Sequence, residues 1–251
     1  MLTLTPQRDK PTAVLPARTP AVTEFTDPAT LGIRAGELQQ RVDQLVYQAR
    51  RAPNRGERQE CARALYAIGR TAHFQSKGDG TISREAYLAS LRVLRTLGDR
   101  AQEVSMLADL SETERLLGQP DRAESALRQA LGIAHPGSGR DGQRADLLFR
   151  LGDLLRVRGR YREAKNTLDQ ALALQQRLGS EPGQADCLSA LGQVALEEGT
   201  PALARQLFDQ AAALFARHGK VESRAAVLGQ LGDVALASGD VKTATRLFRE
   251  G

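Results

Sequence analysis

The 251-residue chain is poor in several kinds of residue that usually point to a fold or a function. It contains no Trp, Phe and Tyr make up 4% of it, and it has two cysteines, Cys61 and Cys187, and three histidines. It has no run of eighteen apolar residues, and its first ten residues lack the apolar core of a signal peptide. These absences predict no membrane span and no disulfide-rich secreted domain. They make a cytoplasmic location the expectation.

Motifs that mark an enzyme are also missing. His73, His135 and His218 lie far apart, with no second ligand at a metal-binding spacing. The chain has no Gly-rich phosphate loop ending in Lys-Ser or Lys-Thr, no Cys-x-x-Cys and no His-Glu-x-x-His. The cysteines lie in different predicted helices, so we interpret them as small buried residues rather than as a disulfide or metal site. We therefore predict that the protein is not an enzyme and holds neither a metal nor a cofactor.

The charge is positive and comes mainly from arginine. Arg accounts for 30 of the 35 basic residues, and the net charge is +5. A basic balance can indicate binding to nucleic acid or to an acidic partner. Here the arginines are interleaved with Glu and Asp, which is typical of the solvated faces of helices. We favour that interpretation over nucleic-acid binding, an alternative that would show binding falling steeply with salt.

Small residues recur at a fixed interval in the second half of the chain. Gly152, Gly192 and Gly232 are 40 residues apart (192 − 152 and 232 − 192), and each follows a leucine. A second glycine follows seven residues later and an alanine twelve residues later, at Gly159, Gly199 and Gly239 and at Ala164, Ala204 and Ala244. Two antiparallel helices approach closely only where both carry small side chains. The period therefore predicts stacked helical hairpins, with Leu168, Phe208 and Phe248 filling the space between neighbouring pairs.

This pattern resembles the tetratricopeptide repeat in a long form of about forty residues, where the usual repeat has ~34. The residues that carry the resemblance are Leu151-Gly152, Gly159-Arg160-Tyr161, Ala164, Leu168 and Ala171, with their counterparts in the next two copies. Weaker copies begin near Ile68-Gly69 and Ser111. The resemblance implies an all-α fold, a right-handed superhelical solenoid of stacked antiparallel helix pairs. A β-propeller has a similar period but needs aromatic signatures that this chain lacks.

The organisation follows from the repeats. Residues 1–33 contain five of the ten prolines and several threonines, so we expect a flexible N-terminal tail, a passive extension rather than a docking segment. Residues 34–251 form the repeat domain, with a cap helix at 34–52 and about five helix pairs. The last pair is expected to be truncated, because the sequence stops at Gly251, on the offset of Ala171 and Ala211.

The resemblance also implies a function, the binding of a peptide or helix of a partner protein along the concave surface lined by the first helices. The expected groove residues are Arg63, Tyr66, Arg70, His73, Phe74, Ala108, Glu112, Arg115, Asp146, Phe149, Asp153, Arg156, Asp186, Ser189, Gln193, Leu196, Glu197, Gly229, Asp233 and Leu236. Peptide-binding members clamp a terminal carboxylate with an asparagine after the glycine. In this chain the positions of that asparagine are occupied by Arg70, Glu112, Asp153, Gln193 and Asp233. Acidic groups suit a partner with basic residues, unless Asp153 simply pairs with Arg150 or Arg156.

The C-terminal repeat suggests a second surface. Residues 225–238 are small or apolar on nearly every side, whereas the ends of solenoids are normally polar. We predict that another copy or a partner covers this end through Leu228, Leu231, Leu236 and Phe248. The leading hypothesis is an adaptor that binds a protein segment in its groove. The alternative is the regulatory or sensor region of a bacterial signalling or transcription-regulating protein, self-associating through this repeat.

Overall fold

The computed structural model of the protein describes residues 35–75 and 80–251. The part described contains eleven α-helices and no strand. The helices are α1 Ala35–Arg51, α2 Arg55–Gln75, α3 Thr81–Leu97, α4 Arg100–Leu116, α5 Pro120–Ile133, α6 Asp141–Val157, α7 Tyr161–Arg177, α8 Glu181–Glu197, α9 Pro201–Arg217, α10 Val221–Ala237 and α11 Val241–Glu250. The predicted tail, residues 1–33, and the side chain of Phe74 lie outside the described residues.

Glycines set the lengths of the helices. Most helices have 17 residues, and a glycine with positive φ follows at a regular step, as at Gly159, Gly179, Gly199, Gly219 and Gly239, which are 20 residues apart. Only glycine adopts this left-handed conformation without a steric cost. After α6, for example, the Gly159 N–H donates to the carbonyl of Arg156 and the Arg160 N–H to that of Leu155. The chain thus reverses after each helix.

Each first helix packs closely against the second helix of its own pair. A Cβ built on Gly152 would lie 2.6 Å from Cγ of Leu168 and 3.4 Å from the carbonyl oxygen of Ala164. Gly192 has the same relation to the ring of Phe208. The repeat pattern predicts Leu168 and Phe208 between neighbouring pairs. In the structure each covers the glycine of its own pair and also belongs to a core cluster that includes the next pair, Leu168 with Leu191 of α8 and Phe208 with Leu231 of α10.

The pairs stack in chain order, so the core is continuous along the stack. The pairs are α2 with α3, α4 with α5, α6 with α7, α8 with α9, and α10 with α11, and each contacts the next. Helix α1 packs on α2 and α3 through the buried side chains of Leu38, Val42 and Leu45. The first helices α4, α6 and α8 adjoin one another, which forms one face of the stack.

An ion-pair cluster joins the second and third pairs. Glu124 on α5 accepts hydrogen bonds from Arg128 on the same helix and from Arg158 and Arg160, which lie between α6 and α7. The Glu124 side chain is only 12% exposed, whereas that of Asp121, which also pairs with Arg158, is 86% exposed. Burial opposes ionisation, but the arginine hydrogen bonds outweigh it and hold the pKa of Glu124 below its usual value.

Candidate functional site

The face formed by the first helices contains a cleft between α4 and α6, with a volume of about 610 Å³. Leu127 of α5 and Leu154 of α6 provide apolar surface at its base, and Phe149 lies beside them. The cleft brings together six of the residues expected in the groove: Glu112, Arg115, Asp146, Phe149, Asp153 and Arg156. They lie together because α4 and α6 are the first helices of successive repeats, so residues at equivalent repeat positions face the same side of the stack.

Two of the three acidic residues of this first cleft, Glu112 and Asp153, are paired with arginines on their own helices. Asp153 accepts hydrogen bonds from Nε and Nη2 of Arg156, at 3.0 and 2.8 Å. Of the two partners that the sequence left open, Arg156 therefore makes the ion pair. Glu112 accepts from Nε of Arg115 at 2.9 Å, and this hydrogen bond lowers the pKa of Glu112 although burial opposes it. A basic ligand would have to compete with these arginines.

A second cleft, of about 360 Å³, lies between α6 and α8 and shares Asp146 and Phe149 with the first. The two clefts therefore adjoin at Asp146 and Phe149, and we call them together the groove. Asp146 and Asp186 occupy equivalent positions in successive repeats (186 − 146 = 40), and both line the second cleft. Neither makes an ion pair with any residue that the structure describes. This part of the groove thus offers two carboxylates to a ligand.

The surroundings of these carboxylates affect their ionisation. Asp186 is exposed, yet partial desolvation beside the neighbouring helices raises its pKa; Lys220 opposes this shift, and the negative charge of Asp146 adds to it. The Gln175 amide nitrogen lies 3.4 Å from Oδ1 of Asp146, and the Gln175 side chain is 7% exposed. It packs against Gly183, where a Cβ would overlap the amide group. A cation placed between Asp146 and Asp186 would relieve the unfavourable charge.

The residues expected from the first pair lie elsewhere. The Tyr66 hydroxyl donates to Oδ2 of Asp109 at 2.7 Å, and the Arg70 guanidinium lies 5.9 Å from the centre of the Tyr66 ring. Burial, together with Asp109, raises the pKa of Tyr66 to about 12. Tyr66 thus links α2 to α4, and neither it nor Arg63 borders the groove. Sequence reasoning misses Asp109 because its partner lies 43 residues away.

The remaining expected residues divide between surface and core. Gln193 is half-buried and Asp233 exposed, and neither lines the two clefts. Leu236 and Phe248 of the proposed self-association surface are each 46% exposed. Leu228 and Leu231 are buried in the core with Phe215 and Val234, so they are not available on that surface. Val221 and Val241, which the sequence pattern does not single out, are 69% and 61% exposed at the same end.

The other groups considered from the sequence have ordinary structural positions. Cys61 and Cys187 are free and buried, as expected, and burial raises the pKa of both thiols, that of Cys187 to about 12. Among residues 35–75 and 80–251, no group of three or more His, Cys, Asp and Glu side chains could hold a metal ion. Within the same residues, every helix is too short or too polar to cross a membrane.

Comparison with known proteins supports the fold and the repeat. The model of the family described as Tetratricopeptide repeat matches residues 143–217, and no curated protein matches the chain. The structure of BtubC from P. vanneervenii is 18% identical with a TM-score of 0.68, and the match covers 84% of this chain and 87% of BtubC. The structure of a Rap protein complexed with Competence and Sporulation Factor is 17% identical, with a TM-score of 0.66. That match covers 83% of this chain and 57% of the Rap protein.

A third similar structure is that of a MamA protein, which is 19% identical with a TM-score of 0.51. The match covers 75% of this chain and 88% of MamA. At these identities the likeness concerns the fold alone. The family match, residues 143–217, covers nearly all of α6 to α9, two of the three pairs that share the 40-residue spacing. The described part of the chain is thus an all-α, right-handed superhelical solenoid of stacked antiparallel helix pairs, and within it residues 143–217 match the tetratricopeptide repeat model.

Proposed function

We propose that the protein is an interaction module that binds a segment of a partner protein, a peptide or a helix, in the groove along α4, α6 and α8. The observation that carries this proposal is that two neighbouring clefts on this face share Asp146 and Phe149 in their lining. Their volumes, about 610 and 360 Å³, are sufficient for several side chains of a ligand. We propose that it acts as a cytoplasmic adaptor without catalytic activity.

The lining favours a ligand that carries a basic residue next to an apolar one. Asp146 and Asp186 have no arginine partner among the described residues, unlike Glu112 and Asp153, so they can accept a Lys or Arg side chain without losing an existing ion pair. Phe149 lies beside them and offers an aromatic surface to an apolar anchor. The preference for basic residues is therefore assigned to the second cleft rather than to Asp153.

The proposal is tested by capture of binding proteins from a lysate of the cells that make the protein, followed by titration with a peptide from the captured partner. The double variant Asp146→Lys with Asp186→Lys should lose the partner. The matched control is Asp209→Lys with Glu198→Lys, which makes the same change in net charge on exposed positions outside the groove. It should bind as the wild type does.

The two results exclude different parts of the proposal. Equal capture by all three proteins would place the binding surface outside the groove. Loss in both double variants would show that net charge, and not the groove, attracts the partner. A circular-dichroism melting curve of each variant separates loss of binding from loss of the fold.

A second candidate function is a regulatory or sensor region of a bacterial signalling or transcription-regulating protein. It is favoured by the shared fold with the Rap protein that was solved with Competence and Sporulation Factor. In this proposal, copies associate through the C-terminal repeat, where Leu236 and Phe248 are exposed. Leu236→Glu with Phe248→Glu should then reduce the molar mass measured by light scattering at high concentration. An unchanged mass would contradict association through this end.

A further inference from the structure

A third cleft, of about 350 Å³, lies away from the groove, where α1 and α3 meet the start of α2. Its apolar floor consists of Val46, Ala49, Ala89 and Val93. Ala49 and Ala89 are buried, and Val46 and Val93 are partly buried against the core. The cleft is therefore a stable feature of the packing between α1 and α3.

Three arginines border this floor. Arg50 lies at the end of α1, Arg58 in α2 and Arg92 in α3, and no acidic residue lines the cleft. Nε of Arg58 donates to the Ala52 carbonyl at 3.3 Å, which holds its guanidinium at the edge. None of the three makes an ion pair with a described residue, whereas many arginines elsewhere in the stack do. The cleft thus suits a ligand with an apolar side chain between two carboxylates.

The chain itself contains such a sequence. Residues 24–27 read Glu-Phe-Thr-Asp, and Phe25 is the only aromatic residue among residues 1–34. Glu24 and Asp27 are two of the three acidic residues in that stretch. An aromatic side chain flanked by carboxylates matches an apolar floor bordered by guanidinium groups in both shape and charge.

The length of chain before α1 permits contact with the cleft. From Asp27 to Ala35 there are eight residue steps, which can span up to roughly 26 Å. The cleft begins at Val46, eleven residues into α1, or roughly 16 Å along the helix axis. We propose that residues 24–27 bind in this cleft of the same molecule, with the Phe25 side chain on the apolar floor and the two carboxylates on the arginines.

The absence of tryptophan from the chain provides a direct probe. In the Phe25→Trp variant of this 251-residue chain the indole is the only one, so its fluorescence reports one position. We expect blue-shifted emission and severalfold weaker quenching by acrylamide than in a Val14→Trp variant, which places the probe on the same tail. Adding salt should weaken the ion pairs and increase the quenching.

Substitutions in the cleft test where the indole lies. Adding Arg50→Glu and Arg92→Glu to Phe25→Trp should shift the emission to that of an exposed indole. The matched control, Arg122→Glu with Arg162→Glu, changes two exposed arginines that also lack a described ion pair, and it should leave the emission unchanged. Restoring opposite charges, with Glu24→Arg and Asp27→Arg in the cleft variant, should recover the blue shift.

The same measurements can overturn the proposal. An indole at position 25 that is as easily quenched as the one at position 14, or a blue shift that survives both glutamate substitutions in a folded protein, excludes this site. A blue shift that appears only as protein concentration rises means that the cleft receives the segment of a second copy, which overturns binding within one molecule. Binding in the groove is measured separately, so neither result depends on it.

Discussion

The ring of Phe208 lies directly over Gly192, so that a Cβ added to the glycine would stand 2.6 Å from Cε1 of the ring. Real Cβ atoms do not approach so closely, and Phe208 is fully buried, so the ring has nowhere to move. The glycine is therefore required by the packing of α8 against α9. Its conformation is ordinary helix, and any residue could adopt it.

Gly192→Ala should lower the free energy of unfolding by about 1–2 kcal/mol, because overpacking costs more than the gain in helix propensity. The control is Gly132→Ala in α5, where a Cβ would meet no atom within 4 Å. That variant should gain up to about 1 kcal/mol. Urea denaturation followed by circular dichroism compares the two. Stabilisation by both substitutions would contradict the assigned contact.

Ala204 provides a second test of the close approach within a pair. It is fully buried on α9, whereas Ala202 is exposed two residues earlier on the same helix. Ala204→Leu should cost about 1–3 kcal/mol through overpacking. Ala202→Leu adds the same side chain in solvent and should change the melting temperature little. Similar effects of the two substitutions would mean that helix propensity, and not packing, is being measured.

The ion-pair cluster predicts unequal roles for two acidic residues of α5. Glu124→Ala leaves three arginines without their buried partner and should cost about 1–3 kcal/mol. Asp121→Ala removes an exposed ion pair and should cost under about 0.5 kcal/mol. Equal losses in denaturation experiments would contradict the difference in burial.

The contribution of Glu124 also depends on pH, and its sign follows from the lowered pKa. Its folded-state pKa lies below the unfolded value, so the contribution is present above the unfolded pKa and is lost as pH falls through the folded one. The stability difference between wild type and Glu124→Gln should therefore shrink on acidification. A stability difference between the two proteins that does not change with pH would show that the Glu124 charge does not contribute to folding stability.

Asp186 should behave in the opposite way. Partial desolvation and Asp146 raise its pKa above the unfolded value, so its ionisation destabilises the fold progressively as pH rises through that window. Asp186→Asn should increase the melting temperature at neutral pH, and the increase should vanish at a pH below the unfolded pKa. We also expect this variant to bind a basic peptide more weakly. Loss of stability at neutral pH would refute the assigned shift.

The buried thiols lead to a labelling prediction. Cys61 and Cys187 are 3% and 0% exposed, and burial raises the pKa of each. Ellman's reagent should therefore react slowly with the native protein and react with both thiols in denaturant. The rate should follow opening of the fold, because only the exposed thiolate reacts. A fast reaction of either cysteine in the native protein would contradict its burial.

Local spacing is sufficient to predict most of the fold. The offsets from Gly152 to Gly159 and Ala164 lie within one hairpin, and they predict the helices and their turns. The contact of Phe208 with Gly192 is not predicted, because the same offset is compatible with contacts inside a pair or between pairs. The direction of the side chain decides between these, and a repeat pattern does not contain that information.

The candidate site is predicted less completely. The six residues of the first cleft follow from the period, since α4 and α6 repeat the same face. The partner of Asp153 does not follow, because Arg150 and Arg156 are each three residues away. The third cleft is bordered by arginines from three separate helices, Arg50, Arg58 and Arg92. It is visible only once these helices are packed together. For Asp153 the missing information is the choice between two side chains on its own helix, and for the arginine cleft it is the packing of separate helices.

The regular spacing of the glycines after each helix bears on how such a chain can grow in evolution. Because a helix and its turn together occupy 20 residues, an in-frame gene duplication beginning at any of these glycines adds whole helices. A duplicated single helix would exchange first and second helices downstream and turn the groove residues outward. A duplicated pair would extend the groove by one repeat and keep every later face in place. Only the second kind of event preserves binding while it lengthens the protein.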